Sequence, residues 1–193
     1  LDDEVLMQKI AAENNLSETA FVDLSNNNIR WFSPACEVNL CGHATLASAF
    51  IYFDYFDKTK ESIALNSASG ELKVYKKDEY LELDFPKDTF KQVDMIEMVE
   101  SATGAKPLET YLGDINLFAV YENEEIISNI NPDYSAVSKL EGQGLIISSS
   151  SNQYDFVSRY FCPKFGINED PVTGSAHTTL IPYWSEKLSK DYL

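Results

Sequence analysis

Two stretches of this chain follow one pattern, and that repetition limits what it can fold into. Arg30-Trp31-Phe32-Ser33-Pro34 is answered by Arg159-Tyr160-Phe161-Cys162-Pro163 at an offset of 129 residues. Glu37 and Gly42-His43-Ala44 are answered by Glu169 and Gly174-Ser175-Ala176 at an offset of 132, so three inserted residues reconcile the two registers. A helical pattern and then a strand pattern precede each copy: residues 3–14 and 20–25 before the first, 133–140 and 144–149 before the second. An apolar helix starting at the glycine closes each. The shared order predicts a duplicated α+β protein with an N-terminal lobe over residues 1–90 and a C-terminal lobe over 91–193.

The remaining patterns fill in the two lobes. Asp2-Asp3-Glu4 loads acid onto the start of the first helix, and residues 29–32 read as a strand after an Asn26-Asn27-Asn28 turn. From Gly42 to Phe56 the run is apolar almost all round, the pattern of a buried helix. Strands are expected at 62–66, 71–76 and 80–85, a helix at 95–101, and strands at 110–112, 116–121, 125–128 and 155–161. The last helix, 174–188, contains Pro182, which should kink or break it. Strands follow the Gly42 helix and precede the Asp133 helix, so the internal symmetry calls for further strands before residue 3 and after residue 188.

Composition narrows the function. Hydrophobic residues make up 44% of the chain, with eleven Phe and eleven Tyr, which is the make-up of a folded protein. Fifteen basic residues against thirty-one acidic give a formal net charge of −16. That charge repels nucleic acid and anionic membrane surfaces, and no apolar run is long enough to span a bilayer. Three cysteines without metal-site spacing fit a reducing cytoplasm. Neither of the two histidines, His43 and His177, has a second His or Cys partner at zinc-site spacing, so no metal site is expected.

Several residues can carry chemistry. Gly42 and Gly174 each stand where a helix begins, with Ala44 and Ala176 in the first turn; unpaired backbone N–H groups there can hold an anion. Glu18, between the first helix and its strand, can act as a general base if burial lifts its pKa toward neutrality. Asp170 stands beside the second helix entrance, either as a helix-end charge or as a group titrating with substrate. Cys41 resembles the thiol of two-cysteine racemases, but its counterpart is Thr173, which disfavours a two-thiol mechanism.

The runs NLSETAFV, IRWFSPACEVNLCGHATLASA, LELDFP and YDFVSRYFCPKFGINEDPVTGSAHTTLIPYW resemble the phenazine-biosynthesis PhzF family over nearly the whole chain. The resemblance implies a diaminopimelate epimerase-like fold: two similar β-lobes, each wrapped around a central helix, with the active site between them, commonly in a homodimer. It implies Glu18 as acid/base, with His43, Asp170 and Ser175 as further catalytic residues, all four of them present. Family members usually carry an N-terminal strand with a Gly-Asn-Pro element and further C-terminal strands, absent from this sequence. The expected activity is a cofactor-independent proton shift on a small anionic, carboxylate-bearing metabolite. An amino-acid epimerase or racemase, or a non-catalytic small-acid-binding protein, are the alternatives. Specificity is expected in the loops at 26–28 and 152–154.

Overall fold

A computed structural model describes residues 3–193; Leu1 and Asp2, the start of the expected acidic helix entrance, lie outside the described residues. The chain divides into two compact units after Pro86, the second being Lys87–Leu193.

The first unit opens with α1 (Glu4–Asn14), where Asp3 accepts from the Leu6 N–H and so occupies one of the orphan donors of the first turn. The helix stops at Asn15, whose left-handed backbone (φ 50°) lets its N–H reach the Ala11 carbonyl. Strands β1 (Thr19–Asp23) and β2 (Asn28–Phe32) pair antiparallel across the Asn turn, and β3 (Glu37–Val38) pairs with the other side of β2. Helix α2 (Gly42–Ile51) follows and runs into one π-helical turn over Tyr52–Phe56. Strands β4 (Ser62–Ser67), β5 (Gly70–Lys77) and β6 (Tyr80–Asp84) complete a sheet of order β1-β2-β4-β5-β6. Its apolar face, with Ile29, Trp31, Leu65, Leu72 and Val74, packs on Ala44, Ala49 and Phe53 of the α2 segment.

The second unit holds β7 (Lys91–Gln92), α3 (Ile96–Thr103), β8 (Glu109–Leu112), β9 (Leu117–Val120), α4 (Glu124–Asn129), α5 (Tyr134–Val137), β10 (Leu145–Ser150), β11 (Phe156–Cys162), β12 (Ile167–Asp170) and α6 (His177–Leu188). The six strands form a sheet of order β12-β11-β10-β9-β8-β7. One face buries Leu117, Leu145, Ile147 and Phe161 with α3, α4 and α5; the other buries Phe118, Val120 and Ile146 with Leu180, Tyr183 and Trp184 of α6. Two similar β-lobes, each packed on a helix, are the α+β architecture expected.

The duplicated motif has the same geometry twice. Arg30 pairs through two nitrogens with Glu37 at 2.6 and 2.6 Å, and its guanidinium lies 5.1 Å from the Phe32 ring centroid. Arg159 pairs likewise with Glu169 at 2.7 and 2.8 Å and lies 4.9 Å from the Phe161 ring centroid. The inserted residues fall in a 3₁₀ turn at Pro163–Phe165 and in the register shift between β11 and β12.

Four expectations are corrected. Residues 125–128 are helical, because Asn123 accepts from the Ile126 N–H and Glu124 and Glu125 load acid onto the first turn. The last helix begins at His177; Gly174–Ala176 form a tight turn whose carbonyls accept three residues on, with the Thr178 hydroxyl competing for the Ser175 carbonyl. Pro182 does not break α6, since the Thr178 carbonyl it leaves without a helical donor accepts instead from the Asp88 N–H at 3.2 Å. The α2 helix is not buried all round: Phe50 and Ile51 are exposed.

That exposure has a local reason. In the second unit β9 runs parallel to β10 and sets Phe118 and Val120 against α6. In the repeat β1 corresponds to β10, yet among the described residues β1 is paired only with β2. Beside it lies a cavity of about 690 Å³ between β1 and α2, lined by Ala20, Val22, Leu24, Ala47, Ile51 and Phe56 among others.

The α5–β10 link turns at Gly142 (φ 76°), where a Cβ would stand 2.7 Å from the Leu117 backbone nitrogen. Gly142→Ala is therefore expected to destabilise the second unit by more than about 2 kcal/mol, the left-handed penalty plus a backbone displacement, read as a lower urea midpoint.

Candidate functional site

The short link from α1 to β1 places Glu18 immediately before β1, held on one side by a hydrogen bond from Asn14 Nδ2 to Thr19 Oγ1 at 3.2 Å. There it meets the start of α2. The Cys41 thiol donates toward Glu18 Oε2 at 3.7 Å, and His43 Nε2 lies 3.3 Å from the same oxygen. Because a carboxylate only accepts, this contact needs the imidazole proton on Nε2. Ser17 Oγ is 3.4 Å from that nitrogen, and Cys41 Sγ is 3.7 Å from Nδ1. Glu18 is 20% exposed at its side chain, against 65% for His43, and both line the cavity beside β1. The carboxylate is thus held from one side by a largely buried thiol and from the other by a solvent-facing imidazole.

Helix α2 begins with Cys41 extended as N-cap, and among the described residues no side chain caps its first N–H groups. The positive end of the helix therefore lies next to the Glu18 cluster. Ala44 contributes to both the core and the cavity wall. A Cβ at Gly42 would come within 2.9 Å of the Phe85 ring, which would have to shift to admit it.

The other predicted residues lie in the second unit. Asp170 accepts from the Thr173 hydroxyl at 2.6 Å and from the Val172 N–H at 3.2 Å, a closed loop of its own. Its neighbour Glu169 is tied to Arg159, whose hydrogen bonds hold that carboxyl below the usual range. Gly174 is exposed with open space on its Cβ side, Ser175 is half-buried in the tight turn, and Ala176 is buried against the α6 core. The structure thus joins Glu18 to His43 in one cluster and Asp170 to Thr173 in another. Cys41, set aside with the two-thiol mechanism, and Ser17, not singled out in the sequence, both join the Glu18 cluster. The Cys-x-His spacing across a helix start was the signal for Cys41; nothing marked Ser17 beyond its adjacency to Glu18.

Residues 1–192 match the family model described as phenazine biosynthesis-like protein, PhzC-PhzF. The chain is a member of the PhzC-PhzF family. An uncharacterized isomerase of Pseudomonas aeruginosa is 46% identical over 187 residues, covering 96% of this chain and 72% of that protein. A PhzF family crystal structure from Enterococcus faecalis shares 48% identity with a TM-score of 0.84, covering 98% of this chain and 74% of that one. A predicted epimerase of Pseudomonas aeruginosa, 18% identical with a TM-score of 0.72 over 98% of this chain and 74% of its own, shares the fold. In PhzC-PhzF terms, the cluster at Glu18 sits on the segments that carried the resemblance, the NLSE run and the CGHA run.

Proposed function

We propose that this PhzC-PhzF family chain is an isomerase that shifts a proton on a small carboxylate-bearing metabolite, with Glu18 as general acid/base. The observation that carries this reading is the Glu18 environment: a carboxylate in contact with a thiol and an imidazole, beside the start of α2. Relatives named as isomerases support the reaction class. The α2 start offers positive potential for a substrate carboxylate. Glu18 removes a proton from a carbon next to an electron-withdrawing group and returns it elsewhere on the skeleton. His43, able to hold its Nε2 proton against the carboxylate, is placed to pass protons between Glu18 and solvent. For Asp170 and Ser175 the catalytic roles rest on the family resemblance alone. The reading needs no cofactor, because both proton acceptor and proton donor are side chains.

The test is incubation of the chain with a panel of small unsaturated and amino carboxylic acids in deuterated water, followed by mass spectrometry. An isomerase incorporates deuterium at carbon into at least one of them and moves its double bond. Inverted chirality at a single carbon, with no moved bond, would select the epimerase alternative. No exchange with any acid that binds would leave a binding protein and end the proposal.

A further inference from the structure

The cluster at Glu18 contains three donor atoms of three kinds. The carboxylate oxygen, the Cys41 thiol sulfur and a His43 ring nitrogen all lie within 4.8 Å of one another. Tetrahedral zinc bound by one sulfur, one imidazole nitrogen and one carboxylate oxygen sets its ligands about 3.4–3.6 Å apart. The separations here are 3.7 Å from sulfur to carboxylate, 3.7 Å from sulfur to Nδ1 and 3.3 Å from Nε2 to carboxylate. Two of these edges use different nitrogens of one ring, so binding requires the imidazole to turn and offer a single nitrogen. It is free to do so, being 65% exposed at its side chain, while the Glu18 and Cys41 donors are held from beneath.

We propose that Glu18, Cys41 and His43 form a site for a thiophilic divalent cation of the zinc type, and that its occupancy withdraws Glu18 from proton transfer. The inhibitory half rests on the reading of Glu18 as base; the cation site itself does not. Charge balance favours the ion. On binding, Cys41 gives its thiol proton to solvent as the metal–sulfur bond forms, and thiolate plus carboxylate then neutralise a 2+ charge, with neutral imidazole as third ligand. Three protein ligands leave a fourth position for water or a substrate carboxylate. The chain's formal net charge of −16 enriches divalent cations around it and so assists capture. Soft donors select among them: a thiolate and an imidazole favour zinc, cobalt and cadmium over magnesium and calcium. A bound ion also fixes both Glu18 and the exposed imidazole, so turnover falls as the site fills and returns when a chelator removes the metal.

The experiment is a titration of the whole 193-residue chain with Co²⁺ alone, followed by absorption spectroscopy without any substrate. A thiolate-to-cobalt charge-transfer band saturating at one cobalt per chain is expected, lost in Cys41→Ser and weakened more than about tenfold in affinity in Glu18→Gln. The double variant Cys36→Ser/Cys162→Ser should keep the band in full, and it decides the matter even if Cys41→Ser folds poorly. Absence of the band, its survival in Cys41→Ser, or its loss in the double variant overturns the cation site. The two readings fail separately: a missing band leaves Glu18 as base, whereas full turnover in Glu18→Gln removes the base and leaves the band to be explained by ligation.

Discussion

Glu18→Gln is expected to cut turnover by about 10²–10⁴-fold while leaving affinity for a small carboxylate within about threefold. The substitution keeps the size and shape of the side chain, so the surface around it is unchanged. On the proposed reading it removes the group that takes a proton from carbon and gives it back. The amide has no such capacity, and neither neighbour substitutes for it: the Cys41 thiol is buried at 5% exposure, and the His43 ring faces solvent. Deuterium incorporation gives the rate and calorimetry the affinity. Parallel loss of both would assign Glu18 to binding instead of proton transfer, and unchanged turnover would remove it from the chemistry. His43→Asn should cost less, about tenfold, because solvent water can reach the cavity mouth and take over part of the proton relay.

The repeat was legible because its parts interact with each other over short range. An arginine two residues before a phenylalanine on a strand stacks on that ring, and the glutamate of the next strand is brought back to the guanidinium by a tight connection. Such contacts write themselves into spacing. Glu18 was legible as a position but not as a site, since its partner Cys41 is 23 residues away and reaches it only once α2 packs beside β1. The α4 error has a similar origin. Ile126-Ile127 has strand character in isolation, and the Asn123 cap that makes the segment helical is a single side-chain hydrogen bond. The short strands β3, β7 and β12 carry too few residues for any period to show. The start of α6 was misplaced because the glycine that opens α2 directly is followed, in the second copy, by a serine-and-threonine-rich turn. Exposure of Phe50 and Ile51 depends on what lies beside β1, which no local pattern records.

Arg159→Ala is expected to destabilise the second unit by about 2–4 kcal/mol, roughly twice the effect of Arg30→Ala on the first. Both arginines hold a glutamate through two hydrogen bonds and lie over a phenylalanine, so those contributions should match. The difference lies in what else each one holds. Arg159 Nη1 also donates to the carbonyls of Ile127 at 3.0 Å and Ile130 at 2.7 Å, at the C-terminal end of α4 where helical donors run out. The additional partner of Arg30 is Glu4, 67% exposed and worth little. Acid titration separates the two contributions of Arg159. Arg159 holds the Glu169 carboxyl below its ordinary value of 4.5, so the ion pair stabilises fully above that pH and is lost as pH falls through the depressed folded value. The carbonyl contacts do not titrate there. The stability gap between wild type and Arg159→Ala should therefore narrow below pH 4.5 and level off above zero; a gap that closes completely would mean the α4 carbonyls gain nothing from the guanidinium. Equal losses in Arg30→Ala and Arg159→Ala at neutral pH, measured by urea unfolding, would say the same.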